Sequence, residues 1–399
     1  MARTKPSASR EKMERARLTL LHEPVGINTG LLTVILALLA IGCVAIYSAT
    51  IAQGDNPRSD FSAYHFIVRH VIFVLAGGFA AWVVYRIPLG FWERVAPWLL
   101  ILAVFLLAAV LVPGVGRRIN GATRWIPLGP VQIQVCEIVK LAVLLGTASF
   151  TVRRQDFMHS TTKGFLPMAL YMAVVAVLVM QQPDLGSLVV IVAIFLGTLF
   201  IGGLSLYIFA AVLTVVILVV GWIVWDTPWR MSRVLAFMEP WSEEHVLNTA
   251  YQLSHSLIAF GRGELFGVGL GGSVEKLAYL PEPHTDFIMA VWAEETGFAG
   301  VLVVLFLFYW LIRHAFEIGR QAIKLDRVFS GLVAEGVGIW IGIQVVINAG
   351  VATGLLPTKG LTLPLMSYGG SSLLFTLAAV GLLLRVDREN RILMRGGKV

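Results

Sequence analysis

The chain has 399 residues, of which 57% are hydrophobic and 14% charged, with a mean hydropathy of +0.80. A soluble domain carries roughly 25% charged residues, so these few charges cannot cover a globular surface and lipid must cover it instead. The formal net charge of +7 therefore reports membrane orientation and contact with anionic membrane lipids, and no nucleic acid is expected.

Residues 1–28 form a polar, basic tail. The apolar run behind it has full membrane length and reads as an uncleaved first span, not as a secretory signal. A span needs roughly 20 apolar residues. The segments that qualify are 29–50, 66–86, 92–113, 133–151, 166–182, 185–203, 204–226, 286–312, 329–353 and 363–384. The sixth and seventh form one long apolar stretch interrupted only by Gly202, Gly203 and Ser205. Residues 386–399 make a second basic tail. The expected fold is an all-α polytopic membrane domain over 29–385, with about ten transmembrane helices and no internal repeat. Cys43 and Cys136 both lie in apolar runs, which excludes a disulfide framework or a zinc site.

Most of the 31 Lys and Arg residues fall on one set of loops. These are the N-terminal tail, Arg86 and Arg94, Arg153, Arg154 and Lys163, Arg313 to Arg327, and the C-terminal tail. The positive-inside rule then puts both termini in the cytoplasm. It makes 227–285 a large periplasmic loop between helices 7 and 8, and loops that long are usually functional. Amphipathic stretches such as Tyr251 to Phe260 predict short helices lying on the outer membrane surface. Arg117, Arg118 and Arg124 share one short outer loop against the charge rule. Lys359, Arg230 and Arg233 are further outer cations.

Asp286 stands where the long loop enters the eighth span. A carboxylate there meets water and lipid headgroups and can take a proton from a sugar hydroxyl. It reads equally as the N-cap of the eighth helix. Glu294 and Glu295 lie deeper; Glu294 is about 12 Å below Asp286 on a helix, so both read as packing partners. Glu137 and Lys140 are neighbours on one face of the fourth span. They are either a structural ion pair or the polar floor of a cavity. Asp184 caps the sixth helix or lines that cavity. The Arg cluster and Lys359 suit phosphate oxygens, or else snorkel to headgroups. Gly267, Gly269, Gly271 and Gly272 lack the strand and βαβ unit of a nucleotide fingerprint. Ser367 and Ser371 open the tenth span, as helix-start residues or as donors facing an anion.

These stretches together resemble the SEDS family (shape, elongation, division and sporulation), the FtsW/RodA proteins, from about residue 30 to 390. The resemblance is carried by AFGRGELFGVGLGGSVEKLAYLPEPHTDF at 259–287, LLPTKGLTLPLMSYGGSSLL at 355–374, GATRWIPLG at 121–129 and QQPDLGS at 181–187. It implies a peptidoglycan glycosyltransferase of the bacterial inner membrane. The implied substrate is lipid II, an undecaprenyl-pyrophosphate-linked disaccharide peptide, and the implied partner a class B penicillin-binding protein. The Pro357-Thr358-Lys359-Gly360 wording is closer to the division branch. That branch implies a place at the septum, FtsI as the partner and contact with other division proteins. The family's essential aspartate matches Asp286, its functional cations Arg124 and Lys359, and its polar pair Glu137 and Lys140. The chain departs from the family pattern at Gln134-Val135-Cys136-Glu137, at Gly272, at His255 and at Asn248-Thr249-Ala250. These changes bear on local loop geometry and remove no charged site residue.

On this reading Asp286 is the catalytic base, and Arg124, Lys359 or a divalent ion neutralises the departing pyrophosphate. No all-protein metal motif is visible. A Mg2+ or Mn2+ ion would be held by Asp286 and substrate phosphates. Glu137, Lys140, Ser367 and Ser371 are the remaining candidate substrate contacts. The rival readings are a lipid II flippase, which buried charges also suit, and a non-catalytic division scaffold.

Overall fold

A computed structural model describes residues 26–54, 64–119, 121–129 and 131–399. The N-terminal basic tail lies almost wholly outside the described residues. Among these residues, nine helices are long and apolar enough to cross a membrane, and the chain is a multi-pass membrane protein. The elements in order are α1 (Thr29–Gly54), α2 (His65–Arg86), α3 (Leu89–Ala109), β1 (Arg117–Ile119), β2 (Ala122–Leu128) and β3 (Val131–Gln134). Then come α4 (Val135–Arg153), α5 (Leu166–Met180), α6 (Leu185–Ile201) and α7 (Leu206–Trp225). The long loop holds α8 (Pro228–Met238), α9 (Glu243–Val246) and α10 (Tyr251–Gly263); α11 (Ile288–Lys324), α12 (Val328–Ala352) and α13 (Gly370–Met394) complete the chain. The expected sixth segment is α6, a shorter apolar helix of 17 residues.

The centre of the bundle is α12 and α4, which are buried along most of their length. Helix α4 packs on α3, α6, α12 and α13, and α12 on α6, α11 and α13. Helix α2 lies along α13, and α1 along α11. Helix α7 buries none of its residues and reaches the rest chiefly through α6 and α8. An all-apolar helix that is exposed all round requires lipid as its solvent.

The all-α fold class holds, with one addition at 117–134. There a small antiparallel sheet of order β1-β2-β3 forms, with Ile126 opposite Ile133 and Trp125 opposite Gln134. It replaces a plain loop, and it sits at the end of the bundle that carries 227–285.

Two helix boundaries also differ from expectation. Helix α13 starts at Gly370 and runs on to Met394, through most of the segment expected as a basic tail. Its acidic residues are paired, not solvated. Glu389 accepts from the Leu89 amide (3.1 Å), Arg327 (3.0 Å) and Arg385 (2.8 Å), and Asn390 donates to the Ile318 carbonyl (2.9 Å). Asn28 donates to Asp387 (3.3 Å), so the chain enters α1 and leaves α13 at the same end of the bundle.

Helix α11 runs 37 residues but is broken at Gly297, whose φ of +68° and ψ of −169° leave the helical region. A Cβ at Gly297 would lie 2.4 Å from the Gly267 nitrogen, so only glycine fits there. The loop 264–269 satisfies the polar groups that the break frees. Phe298 and Ala299 amides donate to the carbonyls of Glu264 (2.9 Å) and Leu265 (3.0 Å), while Val268 and Gly269 amides donate to Glu294 and Glu295 carbonyls (3.0 Å each). Inside an apolar environment such groups must be paired by protein. The glycine run of 267–272 therefore has a structural use.

Glu294 and Glu295 are packing partners, as their depth suggested. Glu294 accepts from Ser273 (2.5 Å) and the Val274 amide (2.9 Å) and pairs with Arg262 (3.5 Å). Glu295 holds Lys276 (2.7 Å) and Ser48 (2.5 Å), tying α1 to the long loop. The loop helices form as expected, but α10 does not lie free on a membrane surface. It buries Leu253, Ser256 and Ala259, packs on α11 and α12, and Ser256 donates to the Ala352 carbonyl (2.7 Å).

Candidate active site

The loop end of the bundle encloses a cavity of about 700 Å³. Its wall is assembled from five separate places: the β2 strand, the α5–α6 turn, the end of α7, α8 and residues 357–360. Arg124, Arg230, Arg233 and Lys359 line it, and Asp184 is the single acid among its described lining residues. The net positive lining gives the cavity a potential that suits an anion.

Each cation is positioned differently. The sheet delivers Arg124 to the α5–α6 turn, where it donates to the carbonyls of Gln182 (3.1 Å) and Pro183 (2.9 Å) and stands 3.6 Å from Asp184. Its side chain remains 28% exposed. Asp184 does both things the sequence left open. It caps α6 through Ser187 (3.0 Å to the amide), and it lines the cavity while also accepting from Gln134 (3.2 Å). Arg230 and Arg233 sit one helical turn apart on α8, with their guanidinium carbons 4.9 and 5.3 Å from the Trp229 ring centre. Lys359 has no hydrogen-bond or ion-pair partner among the described residues. Burial, with Arg230 close by, lowers its pKa below the ordinary lysine value.

Asp286 stands behind the 357–360 wall. A Cβ built on Gly360 would lie 2.6 Å from its Oδ2, so the carboxylate rests against the glycine backbone at the cavity's edge. Burial pushes its pKa from 3.8 up to about 7; Glu282 adds to the rise and Arg124 opposes it. A carboxylate near pH 7 is poised to take and release a proton. The alternative of a helix cap is not met: Phe287 occupies the cap position of α11, and no side-chain cap bond forms.

The main chain around Asp286 is braced. Asn348 donates to the carbonyls of Asp286 (2.9 Å) and Leu361 (2.7 Å), joining the two loops that meet there. Ser367 donates to the Thr285 carbonyl (2.6 Å) and accepts from the Leu363 amide (2.8 Å). Ser371 accepts from the Gln134 amide (3.2 Å), fixing β3 to the start of α13. Both serines thus act as joints of the site and lie outside the cavity lining. Glu137 and Lys140 also lie outside it. They pair with each other at 2.7 Å, are buried, and Lys140 stands 5.3 Å from the Trp340 ring centre.

The structure thus brings Arg124, Asp184 and Lys359 into one lining, sets Asp286 behind it against Gly360, and leaves Glu137, Lys140, Ser367 and Ser371 outside it. Sequence reasoning missed Arg230, Arg233 and Trp229 as a group. Their signal was Pro228 at a helix start followed by two arginines three apart, which share one face.

Comparison with known proteins gives a consistent result. A family profile described as cell cycle protein, FTSW_RODA_SPOVE, matches residues 29–392. The probable peptidoglycan glycosyltransferase FtsW of Burkholderia thailandensis is 53% identical over 370 residues, 92% of this chain and 80% of that protein. The corresponding protein of Nitrosomonas europaea is 46% identical over 366 residues, 92% of this chain and 94% of that one. Among solved structures, a chain reported under the structural coordination of polymerization and crosslinking by a peptidoglycan synthase complex aligns with a TM-score of 0.74 at 31% identity, covering 92% of this chain and 98% of that one. The rod shape determining protein RodA of Thermus thermophilus aligns with a TM-score of 0.66 at 30% identity, with the same coverage.

Proposed function

The chain belongs to the FtsW/RodA/SpoVE family of cell cycle proteins, and from that premise we propose that it is a peptidoglycan glycosyltransferase that polymerises lipid II. The observation that carries this reading is the cationic cavity with Asp286 against its wall. A lipid pyrophosphate leaving group needs its developing charge neutralised more than it needs a proton, so one carboxylate suffices where a glycosidase uses two.

In the reaction, the 4-hydroxyl oxygen of the acceptor sugar bonds to the anomeric carbon of the donor. The bond between that carbon and the pyrophosphate oxygen breaks, and its electron pair leaves with the lipid pyrophosphate. Asp286 takes the hydroxyl proton. Arg124, Lys359, Arg230 and Arg233 hold the pyrophosphate, the arginines offering forked donors that match phosphate oxygens. Asn348 and Ser367 position Asp286 through its main chain, and Glu137–Lys140 stiffens α4 beneath the sheet. No group of three or more metal-ligating side chains occurs among the described residues. Asp286 suits a Mg2+ or Mn2+ ion only where substrate phosphates complete the ligand set, and such an ion would add to the charge neutralisation.

The family placement and the resemblance to its division branch support work at the septum in the bacterial inner membrane, with a class B penicillin-binding protein (FtsI in that branch) and other division proteins. The lipid-facing stripe of Leu302, Phe306 and Tyr309 on α11 suits a membrane-spanning partner, whereas α12 is mostly covered by its neighbours. A flippase reading draws less support, because Glu137 and Lys140 are closed on each other and do not line a path. Proteoliposomes carrying lipid II, the chain and its partner, read separately for glycan and for translocated lipid, test the choice. Translocation without glycan would replace the polymerase with the flippase.

A further inference from the structure

A second cavity, of about 510 Å³, lies between α8 and α10 on the far side of Trp229, Arg233 and Thr358, which it shares as a wall with the cationic cavity. Its character is different. Beyond the shared wall it is lined by five polar residues, Ser232, Asn248, Thr249, Tyr251 and Gln252, with Leu247 and Pro281. Arg233 is its single charged residue among those described, and that guanidinium is already stacked on Trp229. The Gln252 amide has no hydrogen-bond partner among the described residues. The Asn248 amide has only a long contact, 3.4 Å to the Glu244 carbonyl.

Side-chain amides offer a donor and an acceptor side by side, which matches adjacent hydroxyl and acetamido groups of a pyranose. An exposed aromatic edge suits the apolar C–H face of the same ring. A second lipid pyrophosphate would find no cation cluster here.

We propose that this cavity binds sugar rings of the growing glycan strand, whose pyrophosphate-bearing end occupies the neighbouring cationic cavity. This rests on the glycosyltransferase reading and deepens it. With Trp229 and Arg233 between them, the two cavities hold one strand across its change from phosphate to sugar ring. Retaining that strand between additions sets the length of the product.

The test uses the full chain with its partner, comparing the parent with Gln252→Ala and Asn248→Ala. Lipid II consumption should stay within about twofold of the parent while the mean strand shortens about fivefold, the change in strand dissociation expected for one lost hydrogen bond. Saturation-transfer NMR with a phosphate-free chitooligosaccharide supplies a second readout. It should show binding to the parent, weakened in both variants. Unchanged strand length in both variants overturns the proposal, as does a loss of consumption that leaves length unaltered, which is the mark of a structural defect. If the parent makes no glycan at all, the polymerase reading fails on its own, and saccharide binding decides the cavity. Weakened binding in the variants then upholds a saccharide site, and absence of binding in the parent removes it.

Discussion

Replacing Asp286 by Asn separates chemistry from structure, because the fold asks little of this carboxylate. It caps no helix, and the hydrogen bond from Asn348 goes to the Asp286 main-chain oxygen. Asn has the same shape, and only the ionisable group is lost. Burial raises the pKa of Asp286 from 3.8 to about 7. At about 1.4 kcal/mol per pH unit, keeping it ionised above pH 7 costs the folded state up to about 4 kcal/mol. The sign is that of a raised acid: the cost is absent below about pH 4 and grows as pH rises toward 7. Asp286→Asn should therefore raise the melting temperature of the purified complex at pH 8 while leaving it little changed at pH 4.5. Polymerisation should fall about 10²–10⁴-fold, the usual worth of a general base. In the parent, the rate below pH 7 should climb about tenfold per pH unit as the base loses its proton. Full activity in the Asn variant, or a parent rate flat between pH 5.5 and 7.5, would refute the argument.

Other consequences are equally direct. Gly360→Ala places a Cβ 2.6 Å from the Asp286 carboxylate, so the carboxylate must shift by roughly 1 Å to reach ordinary contact, and such a misplacement should lower the rate about 100-fold with membrane levels intact; normal activity would mean the carboxylate does not work from this position. Arg124→Ala should cost at least about 100-fold, as for loss of one preorganised charge contact, whereas Arg117→Ala, exposed on β1, should stay within about twofold; equal effects in a lipid II assay would remove the pyrophosphate role. Photocrosslinkers at Leu302 and Phe306 on α11 should capture the penicillin-binding partner, and those at Ile101 and Phe105 on α3 should not; the reverse pattern would move the docking face.

The membrane segments were legible because a lipid-spanning helix must keep about 20 apolar residues together, and that pattern survives in sequence whatever the tertiary packing. The sheet was not read, because Arg117–Ile119 and Val131–Gln134 are too short for a clear alternation. The Asn120-Gly121 dipeptide, a hairpin signal, marked it, and Gly121 has a φ of +79°. The end of α13 was missed because hydropathy treats Asp387 and Glu389 as solvated charges, whereas Arg391, Arg327 and Arg385 neutralise them. Asp286, Arg124 and Lys359 were visible from their place at the membrane boundary and on the outer side, and the family's motifs then matched them. Their spatial meeting depends on a β-strand, a helix turn and two loops that no local pattern connects. Arg230 and Arg233 were visible only as charges on an unexpected side, since their place in the cavity depends on how α8 folds back beside residues 357–360.

The central claim is that this chain joins sugars by displacing a lipid pyrophosphate. The most direct measurement counts that product. The purified chain with its partner, given lipid II and a β-lactam to silence crosslinking, is followed for lipid pyrophosphate released and glycosidic bonds formed. One lipid pyrophosphate should appear for each bond, and both should vanish in Asp286→Asn. Glycan formation that persists in Asp286→Asn, or lipid II that stays intact with the parent, would contradict the account.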